Sequence, residues 1–391
     1  MKLIKDPVHG YIILSEKELA VVDTFPLQRL RRISQLPMAY LVYPGARHSR
    51  FDHSLGSMAL AEEFAKSLGL DPAEADLLKA AALLHDVGHT PFSHLFEEFL
   101  LEAGTNHEEV GRRIVLENEE IRRVLERVGI DPEEVVSLLS GKHKLSKLIS
   151  GPIDVDRLDF LLRDSYFTGA TYGIIDVRRL IYLTKLVDGE ISIDSRGWGV
   201  LEELAIARQH SFLNIYFHHA VRSAQLLLLR GAEEEGETLP KLAEMPLGDY
   251  LELDDFAVWC LLKRNERSRG RIVSLERRVL PKMIYEERGS QLAEKTMSRS
   301  DRRELEELLA GQMGVHHSQV FVDSSLVPPL TKYGPSELRV AGHGLEGQRT
   351  PSWILEMTAR PIYIFRVYVG RGMVDYESAR RKVSKCLSDL R

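Results

Sequence analysis

Residues 76–87 read Asp-Leu-Leu-Lys-Ala-Ala-Ala-Leu-Leu-His-Asp-Val, an apolar run that ends in an imidazole and a carboxylate. The spacing predicts a helix over 76–87, closed by Gly88. A helix that is apolar nearly all round belongs in a core. A carboxylate at its buried end is costly unless a positive partner or a metal meets it. Two readings follow. Either Asp86 caps a neighbouring helix while His85 makes one core hydrogen bond, or the pair holds a metal.

Other histidines weigh on that choice. There are 14, and six fall at His48, His53, His85, His89, His94 and His107. Imidazole is the common ligand for borderline metals and the usual proton carrier near neutral pH. His53 sits near the start of an amphipathic helix predicted over 49–68, and Asp156 opens another over 152–165. Two imidazoles and two carboxylates make a mixed nitrogen and oxygen set that suits Fe, Mn, Zn or Ni. Arg50 precedes His53 by three residues, so both project from one helix face and the guanidinium can hold a phosphate. Asp156, Phe160 and Asp164 recur every four residues with Arg157 and Arg163 flanking them. That stripe reads as a polyphosphate contact or as a solvated face with internal ion pairs.

The rest of the chain supports a mostly α fold with small β elements. Leu3-Ile4 and Tyr11–Leu14 read as an edge hairpin or extended arm around Pro7 and Gly10. Helical periods cover 16–35, with a break at Pro26, then 107–127, 132–149, 176–186 and 200–230; a β element is expected near 190–193. Residues 233–237 read as a solvated loop and 323–352 as a long irregular connection. Ile362–Val369 predicts a strand and 376–390 a helix, placing a small α+β subdomain at 290–391 after a catalytic core over 1–285.

Composition narrows the function classes. The 391 residues carry a net charge of -6, a poor basis for coating nucleic acid. Cys260 and Cys386 make no disulfide framework or CxxC metal pair. Charge and proline enter the N-terminus too early for a signal peptide, and no apolar run approaches the roughly 18 residues that span a bilayer. A cytoplasmic location is expected.

The order His53, His85-Asp86, Asp156 resembles the HD superfamily of metal-dependent phosphohydrolases. Further blocks resemble its deoxynucleoside triphosphate (dNTP) triphosphohydrolase branch: Asp6–Gly10, Phe25–Arg31, Gln35-Leu36, Pro44–Gly56, His85–His94 and Asp154–Asp159. They run from about residue 2 to 285, with the metal-binding region at about 48–165. No SAM domain is expected ahead of Met1.

The resemblance implies an HD-domain helical bundle and a set of roles. His53, His85, Asp86 and Asp156 would hold a divalent transition metal, with Mg²⁺ accompanying the nucleotide. His89, His94 and His107 match catalytic and supporting histidines, and Glu97 stands where an acidic partner is expected. Gln35 and Asp164 match contacts to the deoxyribose 3′-hydroxyl, and Leu36 and Tyr216 crowd its 2′ position. Arg50, Arg157, Arg208 and His218 match positions at or near the phosphates. Lys2, Asp23, Gln28, Arg31, Arg278 and Lys282 match a GTP or dGTP activator site of a kind formed between subunits, implying a homo-oligomer, dimer or tetramer. Phe160, Arg157 and Asn214 depart from the usual Tyr, Lys and Arg. The implied reaction is dNTP hydrolysis to a deoxynucleoside and inorganic triphosphate, with His94 or His107 as general acid. Alternatives are another HD-type nucleotide phosphohydrolase or phosphodiesterase, with His89 and His94 on a second metal, or a non-catalytic nucleotide sensor.

Overall fold

Side-chain caps set where the helices begin. Ser49, through a capping box with Asp52, starts the Arg50–Leu68 helix, and Gly69 ends it in the left-handed region at φ 64. Asp71 caps the Pro72–Leu84 helix, which therefore starts four residues earlier than the apolar run suggested. It also stops earlier, with His85 at its C-cap and Asp86–Gly88 in a turn. Asn118 ends one helix, His107–Glu117, and caps the next, Glu119–Arg127, so the period over 107–127 is two helices. Asp154 caps Val155–Thr168.

The chain is mostly helical with small sheets in a computed structural model that describes residues 1–187, 189–290, 294, 297–329, 339–341 and 352–390. It divides into two compact units. The first comprises Met1–Ser211, Glu237–Cys260 and Leu330–Ala359. It holds the antiparallel hairpin of β1 (Lys2–Asp6) and β2 (Gly10–Leu14), as the sequence suggested. It also holds a sheet of β3 (Thr184–Val187), β4 (Glu190–Asp194) and, further along the chain, a parallel partner Arg339–Ala341. The Arg50–Leu68 helix packs against Pro72–Leu84 and Val155–Thr168, the three elements that carry the His-Asp quartet.

The second unit comprises Phe212–Gly236, Leu261–Pro329 and Arg360–Arg391. Its sheet is antiparallel, with Ile362–Val369 between Lys282–Arg288 and Val320–Val327. One face, with Val320, Val322, Phe365, Val367 and Val369, packs on Leu305, Leu309, Val383 and Leu387 of the helices Arg299–Met313 and Tyr376–Asp389. The compact units thus divide elsewhere than at 285–290, because the strand Lys282–Arg288 pairs with Ile362–Val369.

Several expectations are corrected. Glu233–Glu235 are the last turn of the His219–Glu235 helix rather than a loop: Glu235 is buried, Glu233 pairs with Arg303, and Glu234 accepts from Arg271 at 2.7 Å. The helical period over 200–230 is interrupted by a π-helical turn at Phe212–Tyr216. The irregular stretch expected over 323–352 starts within the Val320–Val327 strand; 330–338 and 342–351 lie outside the described residues. The break expected at Pro26 falls at Asp23-Thr24, and Pro26 sits in the first turn of the following helix, where its missing N–H costs nothing.

Candidate metal centre

Helix Arg50–Leu68 presents His53, the turn after Pro72–Leu84 presents His85 and Asp86, and the first turn of Val155–Thr168 presents Asp156. These four side chains converge. His53 Nε2 lies 3.2 Å from His85 Nε2, 3.0 Å from Asp156 Oδ1 and 3.7 Å from Asp86 Oδ2. His85 Nε2 lies 3.4 Å from Asp86 Oδ1 and 3.8 Å from Asp156 Oδ1. Neighbouring ligands about 2.1 Å from one ion stand about 3 Å apart, so the set has the spacing of a coordination shell.

The second nitrogen of each imidazole explains the convergence. His53 Nδ1 donates to Asp159 Oδ2 at 2.7 Å, and His85 Nδ1 donates to the Ala82 carbonyl at 2.8 Å. Each ring's proton is thereby committed outward, and both Nε2 lone pairs face inward. Two lone pairs at this distance repel unless a proton or a cation sits between them. Burial works to lower the His53 pKa, but hydrogen bonds to Asp156 and Asp159 and the charge of Asp86 push it up to about 10. Burial works to raise Asp86, yet Arg50, His85 and His89 hold it well below the carboxylate range. Nitrogen and carboxylate donors in this number fit a divalent transition ion.

A second cluster adjoins Asp86. His89 Nε2 is 3.2 Å from Asp86 Oδ1, and the His89, His94 and His107 rings lie against one another with centroids 4.0 to 5.2 Å apart. Glu97 accepts from Nδ1 of both His94, at 2.6 Å, and His107. Burial works to raise the Glu97 pKa, but these two imidazoles hold it below the usual range. Burial, then Arg50 and His107, keep His89 neutral well below ordinary imidazole values. His94 is exposed and His107 half-buried.

Phe92 and Ser93, just before His94, have φ of 55 and 53 although neither is glycine. Such strain persists only where neighbours over-determine it. Asp255 accepts from Phe92 N at 2.6 Å and from Ser34 N at 2.9 Å, while Tyr250 donates to the Gly88 carbonyl at 2.7 Å. Ser93 Oγ accepts from Arg50 Nε at 2.8 Å and donates to the Ser34 carbonyl at 2.6 Å.

The remaining candidates are distributed as follows. Arg50 is buried and donates from Nη1 to Asp86 Oδ2 at 2.7 Å, so it flanks the quartet as its spacing implied. Asp164 is buried against His48 Nε2 at 2.7 Å, and Gln35 N donates to the His48 carbonyl at 3.1 Å, which draws Gln35 and Asp164 to one place. The buried Gln35 Oε1 has no hydrogen-bond partner among the described residues. Leu36 and Arg208 are buried, and Arg157 is half-buried, 3.7 Å from Asp154. Tyr216 and His218 are half-buried in the second unit, at and just after the π-helical turn. Arg163, expected to flank a phosphate stripe, is fully buried and paired with Asp159 and Asp6, and Asp164 is no part of a solvated face.

Of the activator candidates, Lys2, Asp23, Gln28 and Arg31 belong to the first unit and Arg278 and Lys282 to the second. Arg31 Nε donates to Gln28 Oε1 at 2.8 Å, and its guanidinium stacks over Phe51 at 3.5 Å. Lys2, Asp23, Arg278 and Lys282 are exposed. The sequence reading missed His9, His48, Asp159, Asp255 and Tyr250 as parts of the site. Asp159 carried a signal, because three residues after Asp156 it shares that helix face.

Residues 50–164 match the HD domain model and residues 175–346 the HD associated region. An uncharacterized protein of Methanocaldococcus jannaschii is 36% identical over 270 residues, 68% of this chain and 56% of that protein. The uncharacterized YwfO of Bacillus subtilis is 33% identical over 311 residues, 73% of this chain and 71% of its own length. Human deoxynucleoside triphosphate triphosphohydrolase SAMHD1 is 33% identical over 239 residues, 50% of this chain and 38% of SAMHD1. Two solved structures superpose: a hypothetical Aquifex aeolicus protein (TM-score 0.77, 29% identity, 98% of this chain and 99% of that one) and a Bacteroides thetaiotaomicron phosphohydrolase (0.76, 25%, 95% and 100%). An HD domain implies a divalent metal, and the His-Asp group has the geometry to hold one. With both models matched in series and most of the Bacillus protein covered, this chain belongs to the HD-domain family of metal-dependent phosphohydrolases, with dNTP triphosphohydrolases among its relatives.

Proposed function

We propose that the chain hydrolyses a dNTP to a deoxynucleoside and inorganic triphosphate. The observation that carries this reading is the facing pair of imidazole Nε2 atoms, His53 and His85, set between Asp86 and Asp156 with both Nδ1 atoms committed elsewhere. Its narrowing from phosphohydrolase to dNTP triphosphohydrolase is supported by the relationship to SAMHD1 and by the residues shared with that branch. His53, His85, Asp86 and Asp156 would hold an Fe, Mn, Zn or Ni ion, which supplies Lewis-acid polarisation and a nucleophile at neutral pH.

The chain's own residues do the rest. Arg50, Arg157 and Arg208 would neutralise the phosphates, with Mg²⁺ accompanying the nucleotide. Gln35 offers an unpaired buried oxygen to the sugar 3′-hydroxyl, with Asp164 beside it, and Leu36 would crowd the 2′ position. Water adds to the α-phosphorus, the bond to the 5′-oxygen breaks, and that oxygen takes a proton from His94 or His107. Glu97, bonded to both Nδ1 atoms, stabilises the imidazolium that donates it. His89, kept neutral, would buttress this pair. Lys2, Asp23, Gln28, Arg31, Arg278 and Lys282 would take a guanine nucleotide between copies of a homo-oligomer.

A second reading has an observation of its own. His89, His94 and His107 also place one ligand atom each within 4.8 Å of one another, a candidate second metal group that suits a phosphodiesterase or monophosphatase. Phosphorus NMR of each dNTP incubated with the protein separates the two, with Mn²⁺ and Mg²⁺ present and with GTP or dGTP added or omitted. Triphosphate formed with deoxynucleoside, and lost in His85→Ala, is the expected result. Pyrophosphate or orthophosphate as the first product would overturn it.

A further inference from the structure

We propose that His9, in the turn of the N-terminal hairpin, is a positioning residue for the metal centre, acting on His53 through the carboxylate of Asp159. The inference rests on the assignment of His53 as a metal ligand and goes beyond it, to a segment outside residues 50–164 of the HD domain match.

His53 can turn Nε2 toward the quartet only while Nδ1 carries the proton, and Asp159 is the group that receives it, at 2.7 Å. Asp159 is fully buried, and its two oxygens are each shared. Oδ2 accepts from His53 Nδ1 and from Arg163 Nε at 2.8 Å, and Oδ1 accepts from Arg163 Nη2 at 2.9 Å and from His9 Nε2 at 2.6 Å. Four donors on two oxygens saturate a carboxylate and leave it one orientation. Arg163 forks onto both oxygens and fixes the plane of the carboxylate. His9 is the donor that pins Oδ1, and through the rigid carboxylate it sets the angle at which Oδ2 meets His53.

The hairpin is built to deliver that donor. Asp6 Oδ1 accepts from Val8 N at 2.9 Å and His9 N at 2.8 Å, which closes the turn. Asp6 Oδ2 accepts from Arg163 Nη1 at 2.8 Å, so the turn is tied to the same arginine that forks onto Asp159. Space for the assembly comes from Gly56, on the His53 helix. A Cβ there would stand 1.8 Å from Asp159 Oδ1 and 2.3 Å from Arg163 Nη2. His9 itself is nine-tenths buried, with a side-chain exposure of 10%.

The test is a metal titration on the full chain, stripped with chelator and titrated with Mn²⁺ against a competing chelator. Four proteins are compared: wild type, His9→Ala, His9→Asn and His9→Gln. A glutamine places its amide nitrogen where His9 has Nε2, whereas asparagine is one methylene too short. We expect Mn²⁺ affinity to fall about 10- to 100-fold in His9→Ala and His9→Asn, the usual effect of removing an outer partner of a metal-bound histidine, and to stay within about threefold in His9→Gln. The His53 Nδ1–H resonance in imidazole ¹⁵N spectra should persist in wild type and His9→Gln and broaden in the other two. Unchanged affinity in His9→Ala and His9→Asn, or a His9→Gln as weak as either, overturns the proposal. If His9→Ala does not fold, the Gln and Asn pair decides alone. A wild type that ignores Mn²⁺, or a His53→Ala that binds it equally well, is a separate failure: it removes the quartet assignment and the role of His9 with it.

Discussion

In the first unit, His53 and His85 turn their Nε2 atoms toward each other at 3.2 Å among the carboxylates of Asp86 and Asp156. In the second, the polar face of the sheet also buries charge, but there donors and acceptors alternate. Arg222 donates to Asp323 Oδ1 from Nη2 at 2.7 Å and from Nε at 3.2 Å, Ser325 Oγ donates to the same carboxylate, and Arg366 Nε donates to Glu286 Oε2 at 2.7 Å. Buried charge alone is therefore a poor guide to function. What separates the two regions is convergence of like lone pairs, which calls for a proton or a cation between them, against pairing of opposite charges.

The sharpest way to break that contrast is to remove one member from each region. His85→Ala should lower triphosphate release by about 10³-fold or more, because the ion's contribution to the transition state is several kcal/mol. The metal-free protein should melt close to wild type, since Asp156 keeps His53 and Asp86 keeps Arg50 as partners. Asp323→Ala should do the reverse. It removes the carboxylate that faces the half-buried Arg222 and the buried Arg366 and should cost about 3–5 kcal/mol in urea unfolding followed by circular dichroism. Mn²⁺ affinity of the folded fraction should be unchanged. A melting loss in the first variant, or a binding loss in the second, would erase the distinction between the regions.

A pH experiment sharpens it with two aspartates of opposite sign. Burial pushes Asp255 up to about 6, despite the hydrogen bonds it accepts from Ser34 and Phe92. Its folded pKa is above its unfolded value, so the neutral form is favoured by folding. Acidification from pH 7 through 6 toward 4 should stabilise wild type relative to Asp255→Asn by about 3 kcal/mol. Asp323 is shifted the other way: burial raises it, but Arg222 and Arg366 hold it below the carboxylate range. Its stabilisation is complete above the unfolded value and lost as pH falls through the folded one. Trp198, Trp259 and Trp353 all belong to the first unit, so tryptophan fluorescence reads the Asp255 effect in urea titrations at each pH. A gap between wild type and Asp255→Asn that stays constant from pH 7 to 4 would contradict it.

The contrast also shows what a sequence makes legible. The helices, the face shared by Arg50 and His53, and the costly carboxylate at the end of an apolar run follow local rules, whereas the grouping of His53, His85, Asp86 and Asp156 into one ligand set came from the resemblance to the HD superfamily. The hairpin and the Ile362–Val369 strand were legible by the same means. The outer shell was not, because its members are tied over distances no period encodes. His9 meets Asp159 from 150 residues away, and Asp255 meets Phe92 from 163. The second unit depends on pairings of the same range. Its sheet takes strands from 282–288, 320–327 and 362–369, and a composition shift near 290 gave no sign that Lys282–Arg288 belongs with them.

The smallest effect expected falls on Glu97, and it probes the boundary between the metal quartet and the histidines beside it. Glu97 holds the Nδ1 atoms of His94 and His107 at once, and neither bond touches His53, His85, Asp86 or Asp156. In Glu97→Gln the side chain keeps its shape but loses its charge, and one of its two positions becomes an N–H that cannot accept from an imidazole. One of the two rings must then give up its Nδ1–H bond or change tautomer. If Glu97 serves proton transfer, kcat should fall about 10- to 100-fold with KM and Mn²⁺ affinity unchanged, the lower range of what a positioned general acid contributes. If the three histidines instead hold a second ion, the same substitution weakens their orientation as ligands and metal stoichiometry falls along with the rate. The ratio of metal to protein in Glu97→Gln therefore decides whether this cluster belongs with the convergent lone pairs of the quartet or serves it only with a proton.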